Sequence, residues 1–195
     1  MEHITLGFAM CGSFCTFAPV LQQLEALKAR YPDIIPILSE TSFETDTRFG
    51  AAEDFRRRIE DICGHKILHT LDAVEPIGPK RLLSALIVAP ATGNTLAKLA
   101  NGIADTPVAL AVKAHLRNER PVILAVSSND ALAANAENIG KLLARRHHYF
   151  VPMRQDAPHK KPRSVVADFT RLPETVELAL RGEQIQPIFI SSPEG

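Results

Sequence analysis

The side chains best placed for chemistry in this sequence are hydroxyls and small residues that expose backbone amides, not paired acids and bases. The longest such run is Ala89-Pro90-Ala91-Thr92-Gly93-Asn94-Thr95-Leu96-Ala97-Lys98-Leu99-Ala100-Asn101-Gly102-Ile103-Ala104-Asp105. Before it, Leu82 to Ala89 is apolar and short, the pattern of a strand buried on both faces. After it, Leu96, Leu99, Ala100 and Ile103 recur at helical spacing, and Asn94 or Thr95 is placed to cap that helix. A strand that ends in a small polar loop and opens a helix leaves unpaired N–H groups beyond its carboxyl end, where an anion or heterocycle can be held. Taken alone, the same composition also describes an ordinary strand-to-helix turn.

The pattern recurs. Gly12-Ser13 follows the apolar run His3 to Ala9 and precedes Phe17, Val20, Leu21, Leu24 and Leu27 at helical spacing. Gly12 permits a close backbone approach and Ser13 adds a hydroxyl, together a phosphate cradle. Ser39 follows the strand pattern Asp33 to Leu38, whose Pro36 places it towards the sheet edge. Ser127-Ser128 follows Val122 to Val126. The glycines do not match Gly-x-Gly-x-x-Gly, and no Gly-Lys-Ser/Thr follows, which disfavours dinucleotide and ATP binding. Neither a Gly-x-Ser-x-Gly elbow nor a His-Glu-x-x-His helix is present, so no metal ligands are assigned and a bound cofactor fits better than hydrolysis. Cys11, Cys15 and Cys63 match neither a zinc ribbon nor a Cys-x-x-Cys pair and read as small buried hydrophobes.

The elements that must position these loops follow from the rest of the chain. Phe43 to Gly50 is a long polar loop, and Phe55, Ile59 and Ile62 mark a helix ending near Gly64. Leu71 to Lys80 connects to the central strand. Thr106-Pro107 opens a helix whose Val108, Leu110, Ala111, Ala114 and Leu116 run to Arg120-Pro121, and Ala131-Leu132 precede another carrying Ile139, Leu142 and Leu143. Tyr149 to Pro152 is a short strand, and Pro173 to Leu180 a closing helix stopped at Gly182. Strands alternating with helices predict an α/β fold, a mostly parallel sheet with helices on both faces and a ligand crevice outside the strands' carboxyl ends. The 195 residues fit one domain over 1–182 and a C-terminal tail over 183–195. A formal net charge of zero predicts no nucleic-acid or anionic-lipid partner. With no long apolar run and no cleavable signal, the expectation is a cytoplasmic protein without a membrane segment.

Gly12-Ser13, Pro90 to Lys98 with Gly102-Ile103-Ala104-Asp105, and Lys161-Pro162-x-Ser164 together resemble the flavoprotein family of FMN-dependent cysteine decarboxylases and flavin prenyltransferases. Within it, several further stretches are similar to the branch of dipicolinate synthase B subunits. These are Thr47-Arg48-Phe49-Gly50, Glu75 to Lys80, Arg117-Asn118-x-Arg120-Pro121-Val122, Ser128 to Leu132 and Gln155-Asp156-x-Pro158-x-Lys160-Lys161-Pro162. The resemblance implies a Rossmann-like three-layer α/β/α fold and FMN across the strand ends, held by Gly12, Ser13, Ser39, Pro90, Ala91, Thr92, Asn94, Thr95, Ser127 and Ser128. It implies a homo-oligomer, a trimer or dodecamer of trimers. It further implies an oxidoreductase subunit acting on CH-CH or CH-NH bonds, which oxidises dihydrodipicolinate to dipicolinate in sporulation with a nicotinamide-dependent A subunit. Catalytic residues are unassigned.

Where decarboxylases carry Pro-x-Met-Asn this chain has Ser127-Ser128-Asn129, and where prenyltransferases carry a Tyr ahead of the late turn it has His159. These departures set the chain apart from both activities; a stand-alone decarboxylase or prenyltransferase and a non-catalytic scaffold are the alternative readings. A dicarboxylate needs cations, and the candidates are Lys160, Lys161 and Arg163, with Arg48 and Arg117 as outsiders. Lys161, held extended by Pro162, is expected to face the substrate.

Overall fold

The computed structural model describes residues 3–192. Its centre is a seven-stranded sheet in the order β2-β1-β3-β4-β7-β6, with β5 also on β4. The strands are β1 (Thr5–Met10), β2 (Asp33–Leu38), β3 (Ala85–Ala91), β4 (Val122–Ser128), β5 (His148–Phe150), β6 (Met153–Gln155) and β7 (Val165–Ala167). β2, β1, β3, β4 and β5 pair in parallel. Every residue of β1 and β3 is buried, as an apolar run without alternation demands when helices cover both faces.

On one face lie α1 (Phe17–Arg30), α3 (Ala52–Cys63) and α8 (Leu172–Leu180), which bury Leu21, Leu24, Ile59, Leu172 and Val176 against Phe8, Ile87 and Ile123. On the other, α5 (Gly93–Ala100), α6 (Pro107–Leu116) and α7 (Ala136–Leu143) bury Leu96, Val108, Val112 and Leu142 against Leu86, Val88 and Leu124. The result is the Rossmann-like three-layer arrangement. Pro36 does sit at a sheet edge: β2 has a full strand neighbour only in β1, and Pro36 offers its carbonyl to Leu68 N–H at 2.9 Å.

Several boundaries differ from the sequence reading, each for a local reason. The cap of α5 is Thr92, not Asn94 or Thr95: β3 runs to Ala91, Thr92 alone separates it from Gly93, and Gly93 fits directly against Ser128, Asp130 and Asn135. The polar stretch after β2 opens with a short α2 (Glu40–Glu44), capped by Ser39, whose hydroxyl accepts from Ser42 N–H at 3.2 Å. The connection before β3 contains α4 (Leu71–Val74) and a 3-10 turn over Glu75–Ile77. α7 begins only at Ala136, since the Asp130 carbonyl accepts from Ala133 and Asn135 and holds that stretch in turns. The late loop is a β6–β7 hairpin, with β7 antiparallel to Ser127 and Ser128 of β4. Beyond Gly182, Gln184 pins Phe150 through both its backbone groups, Ile185 is buried, and Met153 exchanges backbone hydrogen bonds with Ile188 and Ile190. The last three residues, 193–195, lie outside the described residues.

His115 on α6 is fully buried; its Nε2 meets the Pro121 carbonyl at 3.1 Å and its Nδ1 has no partner among the described residues. Burial disfavours the imidazolium and lowers its pKa from 6.5 to about 4. The unfolded chain therefore takes up a proton below pH 6.5 that the folded chain refuses until about pH 4. Stability is present above the unfolded value and declines through that window, by on the order of 3 kcal/mol at its acid end. Denaturant melts of wild type and His115→Gln at pH 7 and pH 4.5 check this: the variant is expected to lose less stability on acidification, and equal losses would exclude His115 as the source.

Candidate functional site

The carboxyl ends of β1, β2 and β3 open onto a pocket of about 420 Å³ lined by Cys11, Gly12, Ser39, Glu40, Thr41, Thr92, Asn94, Thr95, Lys98 and Thr106. Its size is that of a cofactor or small-ligand cleft. The backbone draws the loops together, with Cys11 N–H donating to the Pro90 carbonyl at 3.2 Å and Ser39 N–H to the Met10 carbonyl at 3.1 Å. α5 aims its first turn into this space. Thr92 makes no side-chain cap bond, so the first amide N–H groups of α5 have no partner in the helix and suit an anion or a ring acceptor. A side chain at position 12 would stand 3.2 Å from Thr41 Cγ2, which keeps that stretch of the β1 loop a glycine-sized cradle.

Of the residues proposed from sequence, Gly12, Ser39, Thr92, Asn94 and Thr95 line the pocket. Ser13 stands beside it and joins the fourth loop, its Oγ 2.8 Å from Ser127 Oγ. Pro90 and Ala91 are buried in β3 and contribute backbone. Ser128 is buried and donates its hydroxyl to Asp130, which also accepts from Asn135 Nδ2 at 2.7 Å. Asn135 in turn accepts from Asn138 at 2.9 Å. This polar cluster packs on Gly93, where an added Cβ would lie 2.5 Å from Asn135 Nδ2, 2.7 Å from Asp130 Oδ1 and 2.8 Å from Ser128 Oγ. Ser128 thus positions the start of α5.

Cys11 and Cys63 are buried, as expected, and burial pushes both thiols up, Cys63 to about 12. Cys11 Sγ accepts from Thr95 Oγ1 at 3.2 Å and stays a packed, protonated thiol. Cys15, by contrast, is exposed, because the 3-10 turn Phe14–Thr16 turns it out of the core. In the late hairpin Lys160, Lys161 and Arg163 are all exposed. Lys161 is not an unpaired cation: its Nζ lies 2.6 Å from Asp156 Oδ2, and that hydrogen bond raises its pKa, with a smaller contribution from Cys15 across the loop. The Lys161 charge is thus already matched within the hairpin. Arg117 lies elsewhere, in a groove with Leu99, Arg145 and His148.

Lys98, Glu40, Thr41 and Thr106 also line the pocket and were not among the residues proposed from sequence. Lys98 follows Asn94 by one helical turn and so shares its face, a signal present in the spacing. Its ammonium pairs with both Asp105 oxygens, at 2.6 and 2.8 Å, and this contact holds Asp105 below the usual carboxylate range. The pocket's wall thus carries a cation whose partner is exposed, beside a fan of hydroxyls and amides. The chemistry of such a wall suits an anionic or heterocyclic group. Among the described residues no cluster of metal ligands occurs, and no helix is long and apolar enough to cross a membrane.

The Flavoprotein family model matches residues 1–168. The chain is 40% identical over 190 residues to the dipicolinate synthase B subunit of Bacillus subtilis (strain 168), covering 97% of this chain and 95% of that one. It superposes on the crystal structure of the dipicolinate synthase B subunit from Bacillus halodurans C with a TM-score of 0.88 at 42% identity, covering 97% and 98% of the two chains. The FMN-dependent cysteine decarboxylase SpaF shares the fold, with a TM-score of 0.67 at 22% identity over 90% of this chain and 97% of that one. With its strand-end pocket, its α/β/α layers and a family match over most of its length, this chain belongs to the Flavoprotein family.

Proposed function

We propose that this chain is an FMN-binding B-type subunit of a dipicolinate synthase, an oxidoreductase that converts dihydrodipicolinate to dipicolinate together with a nicotinamide-dependent A subunit in sporulating bacteria. The observation that carries the reading is the likeness to two such B subunits along nearly the whole chain, together with a strand-end pocket whose donors suit a phosphorylated heterocycle. FMN fits the residues present. The α5 amides, Gly12 and Ser39 would hold its polar groups, Asn94 and Thr95 its ring edge, and Ser13 with Ser127 would close the side. When bound, it supplies an acceptor for the two electrons that leave the substrate, which side chains cannot. The chain's own residues bind and orient, and Lys98, although paired with the exposed Asp105, is the cation on the pocket wall that would face an anionic group. Removal of a hydride equivalent and a proton from a dihydropyridine ring needs no nucleophile, in keeping with the protonated Cys11. The remaining parts of the proposal are a homo-oligomer, a cytoplasmic location and a single domain over 1–182, to which the stretch expected as a tail belongs at least through Ile190, because Gln184, Ile185, Ile188 and Ile190 pack back on β5 and β6. For the dicarboxylate, Lys160 and Arg163 are the hairpin cations without a carboxylate partner among the described residues.

The test has two stages. Protein reconstituted with excess FMN and desalted is expected to keep a flavin absorbance spectrum and to melt higher than the apoprotein. The two subunits are then assayed alone and mixed, and turnover of dihydrodipicolinate is expected to require both. Absence of flavin after reconstitution refutes the cofactor assignment, and full activity of the partner alone refutes a catalytic role for this chain.

A further inference from the structure

A second concavity, of about 340 Å³, lies at the other end of α5 and α6, where β4 and β5 begin. Leu99, Ile103, Ala109, Val112 and Leu116 form its floor, and Lys113, Arg117, Arg145 and His148 its rim. Arg145 is fixed in place, because its guanidinium donates to the Leu99 and Ala100 carbonyls at 2.9 and 2.6 Å and closes the end of α5. Lys113 and Arg117 are different. They stand one turn apart, Lys113 on α6 and Arg117 at its C-cap; both are exposed, and neither has a carboxylate partner among the described residues, whose ion pairs all lie elsewhere. Ile103 leaves 47% of its surface in solvent, and at Gly102 an added Cβ would meet nothing within 4 Å, so the floor is reachable from outside.

We infer that this groove docks a partner chain through an acidic amphipathic helix, an apolar side chain seated on Leu99, Ile103 and Leu116 and carboxylates paired with Lys113 and Arg117. The charge distribution selects the occupant. The whole chain is neutral, yet every ionisable side chain lining this groove is basic, so an apolar segment without acids would leave the rim cations desolvated and unpaired. Cations one turn apart on α6 match carboxylates one turn apart on a facing helix, the usual geometry of an apolar helix face laid in a groove. The inference rests on the proposal that the chain works with a second subunit, and it assigns the surface which that protein meets. Because the groove is at the opposite end of α5 from the amides that face the strand-end pocket, docking leaves that pocket accessible.

The test uses the full-length chain and the purified A subunit from the same bacterium, with association followed by calorimetry and assembly by sedimentation. The Lys113→Glu/Arg117→Glu double variant is expected to raise the Kd at least about tenfold, and wild-type affinity to fall as salt is raised. Lys80→Glu, an exposed cation outside the groove, is expected to change it little. FMN content is measured on every sample, so loss of flavin, which would count against the cofactor reading, is seen separately from loss of docking. Undiminished affinity of the double variant for the A subunit overturns the inference, as does a wild type that binds no A subunit. A double variant that instead loses self-association while keeping its affinity for the A subunit makes the groove a contact between copies of this chain, and likewise overturns it.

Discussion

Replacing Gly93 by Ala is expected to lower stability by roughly 2–4 kcal/mol, from overpacking together with the disruption of buried hydrogen bonds, and to abolish retention of FMN. The new methyl would lie within 3 Å of Asn135 Nδ2, Asp130 Oδ1 and Ser128 Oγ, closer than carbon atoms approach such groups. None of the three is the loose end of a flexible side chain. Asp130 is held by Ser128 and Asn135 at once, and Asn135 is held further by Asn138. Relief therefore requires breaking a buried polar cluster or shifting the start of α5, and a shift moves the amides that face the pocket. Urea denaturation gives the stability change and the absorbance of the desalted, FMN-reconstituted variant gives the binding change. An Ala variant as stable as wild type and fully loaded with flavin would show that the cluster yields without cost. A stable but flavin-free variant would locate the effect in the helix start alone.

Reversing charge at Lys98 is expected to weaken FMN binding by about a hundredfold while leaving the fold in place. The ammonium lines the pocket, and a contact between charged groups contributes about 1.5–3 kcal/mol. Lys98→Glu removes that contact and puts a carboxylate beside Asp105, so like charges would face any anionic group entering the pocket. Stability is expected to change by no more than about 1 kcal/mol, since Asp105 is exposed and such pairs contribute little. The companion variant Asp105→Asn separates the two roles available to Lys98. If the lysine acts on the ligand, Asp105→Asn retains FMN at least as tightly as wild type, because the cation is released towards the pocket. If the lysine serves only to hold Asp105, then Lys98→Ala and Asp105→Asn lower affinity alike, and the assignment of Lys98 to the pocket is wrong. Fluorescence titration with FMN distinguishes the two results.

What the sequence determined by itself is the framework, because it is written in short-range patterns. The largely apolar runs His3 to Ala9 and Leu82 to Ala89 predict strands, the second covered on both faces, and the structure places these strands at Thr5–Met10 and Ala85–Ala91; helical spacing between them predicts parallel crossovers. The polar loops then fall at one sheet edge by topology, which is why Gly12, Ser39, Thr92, Asn94 and Thr95 could be placed together before any coordinates. Pro36 at the edge and Gly64 as a left-handed helix cap were legible for the same local reasons.

Tertiary structure decided which polar groups are free. The type of residue at Lys161 says that a cation is present, but not that Asp156 neutralises it, since that pairing depends on the fold of the hairpin tip. The type of residue at Ser128 says that a hydroxyl is present, but not that β7 aligns beside it or that Asp130 accepts its hydrogen bond. The hairpin itself was hidden because strands of three residues are too short to show alternation. Likewise, nothing local distinguishes Cys15, turned into solvent, from Cys11, packed under Thr95. Lys98 faces the pocket because α5 starts at Gly93 rather than further along, and that start is set by the Ser128, Asp130 and Asn135 cluster arriving from a distant part of the chain. Spacing along one helix is fixed by its backbone geometry, whereas the pairing of charges and the burial of hydroxyls depend on segments that meet only after the sheet has assembled.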